Sequence, residues 1–172
     1  MGQAQSPQQD LQGNAAIEKI KNIAEDARTC FFTTKSAGGE THSRPMALQE
    51  VDENGTLWFL SSKESLKNEE IQNDSYVELY FLNSSAYEYI FVKGQAQISQ
   101  DPELIEKYWK SFANAWFDGK DDPRITVIGV KAQDGYYYET KNNKVIAMAK
   151  MLFAAATGSK NEDGGIEGEL KV

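Results

Sequence analysis

The chain has 172 residues, a formal charge of -8, 40% hydrophobic residues and a mean hydropathy of -0.58, enough apolar material for one domain with a real core. Its acidity argues against a nucleic-acid surface, and no apolar run approaches the ~20 residues that span a bilayer. A single Cys30 and a single His42 exclude an internal disulfide and a Cys/His metal cluster.

Residues 1–13 read as a disordered polar arm. The first ten are Gln-rich and lack the apolar segment of a secretory leader, so the cytoplasm is the expected compartment. Residues 14–27 read as a helix: Ile17, Ile20, Ile23 and Ala24 recur at helical spacing, and Asn14 can cap it. Residues 29–34 read as a strand, with Cys30 a buried thiol, and Gly38–Gly39 mark a turn. Strands follow at 41–51 and 56–60, joined by the hairpin signal Asp52-Glu53-Asn54-Gly55. Residues 65–73 form a short helix, and 76–82 and 87–99 two more strands.

Asp101-Pro102 opens the next helix, since aspartate caps and proline at the first position costs no hydrogen bond. Its apolar face is Leu104, Ile105, Tyr108, Trp109, Phe112 and Trp116. Residues 124–132 and 135–140 complete the strands, and Tyr136, Tyr137 and Tyr138 alternate in and out of the sheet. A last helix is expected at 143–156. The acidic, Gly-rich segment 159–172 reads as a flexible tail, leaving 14–158 as one domain. Six or seven short strands joined mostly by tight turns imply a closed or nearly closed antiparallel barrel, split by the intervening helices.

One region concentrates chemistry. Arg44 stands on the 41–51 strand, followed by Pro45, which suggests an edge or ligand-lined position. The strand at 56–60 runs into Ser61, Ser62, Lys63, Ser65 and Lys67. A guanidinium, hydroxyls and ammonium groups at one end of a hairpin suit a phosphate dianion. The serines read equally as caps of the following helix, whose N-terminus is itself an anion site. Trp116, at helical spacing with Phe112, also reads as core. His42 reads as a solvated histidine, because the sequence places no carboxylate to orient it. Asp121 and Asp122 shape a turn before Pro123.

The segment RPM…WFLSSKESLK resembles the flavin-phosphate pattern of the pyridoxamine 5'-phosphate-oxidase-like FMN-binding split barrels. Residues 108–130, with WFDGKDDP, resemble a second signature of their general stress protein branch. The two matches span roughly residues 15–157. The resemblance implies a mainly β fold with flanking helices, an antiparallel Greek-key-like split β-barrel. It further implies FMN at a homodimer interface and a small-molecule substrate. The carried-over site is Arg44, Ser61, Ser62, Ser65 and Lys67 at the phosphate, Pro45 and Met46 along the isoalloxazine, and Trp116 near the flavin of the partner subunit. The oxidases carry an arginine where this chain has Leu66, and Lys63 is the expected replacement. The last arginine is Arg124, so the oxidases' C-terminal substrate-phosphate clamp is missing. The resemblance therefore implies an FMN-dependent oxidoreductase or flavin-sequestering protein rather than a vitamin B6 oxidase. The alternative is a non-catalytic dimeric barrel that binds deazaflavin, haem or no cofactor.

Overall fold

The computed structural model describes residues 8–140, 152–153, 155–157 and 165–172. Its elements in chain order are β1 (Leu11–Gln12), α1 (Asn14–Ala27), β2 (Thr29–Lys35), β3 (Thr41–Val51), β4 (Thr56–Ser62), α2 (Leu66–Asn73), β5 (Tyr76–Asn83), β6 (Glu88–Ser99), α3 (Pro102–Tyr108), a 3-10 turn (Ser111–Ala115), β7 (Ile125–Thr140) and β8 (Gly165–Lys171). Strands β7, β4, β3, β2, β5 and β6 follow one another in a ring, and the β6–β7 pairing closes it into a six-stranded antiparallel barrel. The expected split-barrel class is the observed one.

Period-2 alternation builds the interior. In β4, Leu57, Phe59 and Ser61 turn inward, while Thr56, Trp58 and Leu60 are half-buried. Phe32, Phe59, Val77, Leu79, Val92 and Ile128 fill the barrel, with Phe32 and Phe59 edge to face at 5.2 Å. Helix α1 packs Ala16, Ile20, Ile23 and Ala24 into the same core. Its cap is Gly13 rather than Asn14, and no side chain bonds the first turn. Cys30 is buried, and burial pushes its thiol up out of the reactive range.

Three sequence expectations change. The two strands expected at 124–132 and 135–140 are one strand, β7, with a bulge where Lys93 faces Asp134 and Gly94 faces Ala132. The bulge re-aims β7, which pairs with β4 up to Lys131 and with β8 from Asp134 onward. The helix expected to carry Phe112 and Trp116 ends at Tyr108; Trp109 is extended, and the chain resumes as a 3-10 turn. Most of the helix expected at 143–156 lies outside the described residues; 152–153 and 155–157 are helical.

The third change concerns the ends of the chain. Residues 165–171 of the supposed flexible tail form β8, which pairs with β7 and runs parallel to β1. Leu170 is fully buried, and Leu11 packs against the core. Gln9 N–H donates to the Glu167 carbonyl at 2.8 Å, and Gly13 N–H to the Lys171 carbonyl at 2.8 Å. Gly168 permits this closeness, since a Cβ there would stand 2.0 Å from the Gln9 carbonyl oxygen. Gly168→Ala should therefore cost about 1–3 kcal/mol, the usual penalty of overpacking, read as a lower urea midpoint at unchanged slope.

Candidate functional site

The barrel is split between β3 and β4. These strands pair only from Leu48/Phe59 to Val51/Leu57, with an irregularity at Gln49. Residues 41–47 of β3 pair with β2 on one side and have no ladder partner on the β4 side. The opening is a cleft of about 330 Å³ lined by Arg44, Pro45, Met46, Ser61, Ser62 and Lys67, and by Phe112, Trp116 and Phe117 from the 3-10 region. Seven of the nine residues singled out in the sequence thus meet in one cleft.

Arg44 is held from behind. Its Nη1 donates to Thr34 Oγ1 and to the Phe32 carbonyl at 3.4 Å, and its Nη2 to Glu70 Oε2 at 3.1 Å. Glu70 comes from α2 with its side chain 3% exposed. It also accepts from Thr34 Oγ1 and meets His42 Nδ1. Burial alone would push this carboxyl up. The hydrogen bonds from Thr34, His42 and Arg44, with the Arg44 charge, outweigh burial and hold it below the ordinary range. His42 is therefore not a merely solvated histidine: a carboxylate 28 residues downstream orients it. No bond to Arg44 Nε occurs among the described residues, so donors remain for a ligand in the cleft.

Lys67 is half-buried and lines the same cleft. Burial lowers its pKa, and the neighbouring Arg44 charge lowers it further. Among the described residues it has no ion-pair partner, so two cations converge without a counter-anion in front of them.

Ser61 is buried. Its hydroxyl donates to Asn68 Oδ1 at 2.8 Å and lies 3.3 Å from Ser65 Oγ, while Asn68 Nδ2 donates to Thr126 Oγ1 at 2.9 Å. Ser65 stands at the cap position of α2, but its hydroxyl donates to the Ser62 carbonyl at 2.7 Å instead of capping. The first amides of α2 are thus not taken up by a side chain. Ser65 supports the cleft from below and does not line it. Lys63, expected to replace the cation missing at Leu66, lines a different cleft, with Gln72 and Gln100, and Leu66 is itself exposed.

Trp116 is 68% exposed, edge to face with Phe112 at 6.3 Å. The core reading of Trp116 fails because α3 ends before reaching it. Trp109 is half-buried beside Phe117. Asp122 does organise the following turn: it accepts from Asp118 N–H and from the Arg124 backbone and guanidinium, and the Arg124 bond holds its carboxyl far below the usual range.

Sequence reasoning missed Glu70 and Asn68. Asn68, Glu70 and Ile71 are the buried residues of α2, but positions 68 and 70 fall on different sides of the helix and Leu66 is exposed, so no apolar stripe in the sequence signals them.

The family described as pyridoxamine 5'-phosphate oxidase like matches residues 15–162, and the chain belongs to it. It is 31% identical over 130 residues to general stress protein 26 of Bacillus subtilis (strain 168), covering 74% of this chain and 87% of that protein. It is 32% identical over 153 residues to protein bli-3 of Neurospora crassa, covering 83% and 73%. The crystal structure of general stress protein 26 from Bacillus anthracis str. Sterne superimposes with a TM-score of 0.63 at 26% identity, covering 70% of this chain and 92% of that one. Two distant structures share the fold alone. An FMN-binding protein of Nostoc punctiforme has a TM-score of 0.53 at 12% identity, covering 74% and 81%. A haem-binding protein of Mycobacterium smegmatis has 0.58 at 14%, covering 71% and 53%.

Proposed function

We propose that this chain is an FMN-binding stress-type protein, a flavin-dependent oxidoreductase or flavin store without vitamin B6 oxidase activity. One observation carries the reading: Arg44 and Lys67 converge in the split of the barrel, and Lys67 is half-buried with no ion-pair partner among the described residues. A phosphate dianion supplies the missing charge, with Arg44 as fork and Lys67 as point charge. The unpaired edge of β3 at Pro45 and Met46 offers backbone groups to a flat ring. Phe112 and Trp116 offer apolar cover. The donor set therefore fits FMN.

Bound FMN would supply the hydride and electron chemistry. The chain's own residues hold its phosphate, orient its ring and exclude water from it. Haem fits less well, because the single histidine is engaged by Glu70. The cytoplasm remains the proposed compartment; no helix among the described residues is long and apolar enough to cross a membrane.

A homodimer is part of the reading. Pro45, Phe31, Tyr80, Phe91 and Tyr136 stand opposite one another across five neighbouring strands. Phe31, Tyr80 and Tyr136 are exposed, with Tyr80 stacked on Phe91 at 4.7 Å. An apolar row of this extent, starting beside the cleft, marks an interaction surface. Phe31→Glu should shift the sedimentation coefficient to that of a monomer and weaken FMN together with it. An unchanged coefficient would remove this face from the interface.

Fluorescence titration of the chain with FMN, with riboflavin as control, tests the proposal. Saturable FMN binding with much weaker riboflavin binding is expected. Equal affinities would remove the phosphate site, and no binding of either would remove the flavin. A change in flavin absorption on adding a candidate reductant separates an enzyme from a store.

A further inference from the structure

His42 and Arg44 stand two residues apart on the same face of β3, and both reach Glu70 of α2. The donors divide its carboxylate between them. Oε2 accepts from Thr34 Oγ1 and, at 3.1 Å, from Arg44 Nη2, while Oε1 meets His42 Nδ1. An ionised carboxylate has no hydrogen to give, so His42 Nδ1 carries the proton and donates. Glu40 does not set the ring: its carboxylate lies 4.0 Å from Nε2, beyond hydrogen-bond distance, on an exposed side chain.

The chain also shows what a carboxylate does to an arginine when both its oxygens can reach. Asp122 takes Arg124 in a two-point grip, Nε on Oδ1 at 3.0 Å and Nη2 on Oδ2 at 2.6 Å. Such fork pairing uses up an edge of the guanidinium that could face a phosphate. Arg44 escapes it. One oxygen of Glu70 reaches it through one nitrogen, and its Nη1 goes to Thr34 and the Phe32 carbonyl.

We propose that His42 is a positioning residue for the phosphate site: it occupies Glu70 Oε1, confines the carboxylate's hold on Arg44 to Oε2, and so keeps the Nε side of the guanidinium open to the cleft. Without that donor, Oε1 is a buried charged oxygen with nothing to bond, a costly state that draws in any donor within reach. Arg44, already on the other oxygen, is the donor at hand, and a two-point grip takes it away from the phosphate. The word phosphate rests on the flavin reading; the division of the Glu70 carboxylate does not.

Asparagine and leucine at position 42 separate the donor from its shape. Asparagine carries an N–H at the same place along the side chain as Nδ1, and leucine a methyl group. In fluorescence titration, FMN should bind His42→Asn within about twofold of wild type and His42→Leu about tenfold more weakly, the worth of one charged hydrogen bond. Riboflavin should not distinguish them. In a Glu70→Gln background no carboxylate grips Arg44, and His42→Leu should bring no further loss. Equal FMN affinities in the two position-42 variants, or a leucine loss that persists beside Glu70→Gln, would overturn the proposal. Phenylglyoxal, which attacks guanidinium groups, gives a readout without flavin. In the apo chain Arg44 should react several-fold more slowly in His42→Leu than in wild type or His42→Asn, with Arg28 and Arg124 as internal standards. Should FMN bind none of the proteins, slower labelling would keep the role of His42 and sink only the flavin reading; equal labelling would sink both.

Discussion

Substituting Arg44→Gln together with Lys67→Ala is expected to raise the FMN dissociation constant by at least about a hundredfold and leave riboflavin unchanged. Each charged hydrogen bond to phosphate is worth about 1.5–3 kcal/mol, so two amount to about 3–6 kcal/mol, or two to four decades. Glutamine is the better probe at position 44, because its amide can still donate to the buried Glu70, whose ion pair either substitution removes, whereas alanine leaves no donor there and confuses binding with folding more. Lys67→Ala alone is cleaner, since Lys67 holds no ion pair among the described residues. The sign with pH follows from the lowered Lys67 pKa. Its charge is lost earlier on raising pH than a free lysine's near 10.4, so FMN affinity falls first in that window, and Lys67→Ala removes the dependence. FMN affinity unchanged in the double variant would mean that the phosphate does not sit between these two cations.

The second large effect concerns stability. Glu70→Ala should cost about 3 kcal/mol, the lower end for breaking a buried ion pair, because Arg44 and His42 keep some access to water. Glu70→Gln keeps an acceptor for Thr34 and Arg44 and should cost about half as much. The comparison must weaken in acid. Glu70's folded pKa lies below its unfolded value, so its contribution is fully present above about 4.3. It is lost as pH falls through the lowered folded value. Urea midpoints of wild type and Glu70→Gln measured from neutrality to pH 3 should therefore converge. A gap that stays constant would show that the carboxylate charge contributes nothing to the fold.

Glu70 also ties stability to function. The residue that anchors Arg44 on its protein side decides which of its donors are left for the cleft. FMN binding in Glu70→Gln should be perturbed while riboflavin binding is not, even where the chain remains folded.

How far the sequence can be read is clearest residue by residue. The hairpin at Asp52–Gly55 was legible because its chemistry is local: Gly55 takes the positive φ, and Asp52 Oδ1 accepts from both Asn54 and Thr56. The bounds of β3 were legible because alternation and flanking turns lie within a dozen residues. The tail was not. Ile166, Gly168 and Leu170 do recur at period two, but two glycines and two glutamates give the segment the composition of a linker. Only the waiting edges of β7 and β1 turn it into a strand. The end of α3 was likewise hidden, since Phe112 and Trp116 continue its apolar period in sequence while the backbone leaves the helix at Trp109.

The sequence by itself determined the strands and turns of the barrel, which follow from short-range steric and hydrogen-bonding preferences that each segment carries alone, while Arg44 and Lys67 were singled out by their donor chemistry and by the family resemblance. The tertiary structure decided what those cations face. It brought Glu70 under Arg44, tied the Ser65 hydroxyl to the Ser62 carbonyl and sent Lys63 to another cleft. It left Trp116 exposed at the cleft. Such relations join residues tens of positions apart through barrel closure and helix packing, and no local periodicity encodes them.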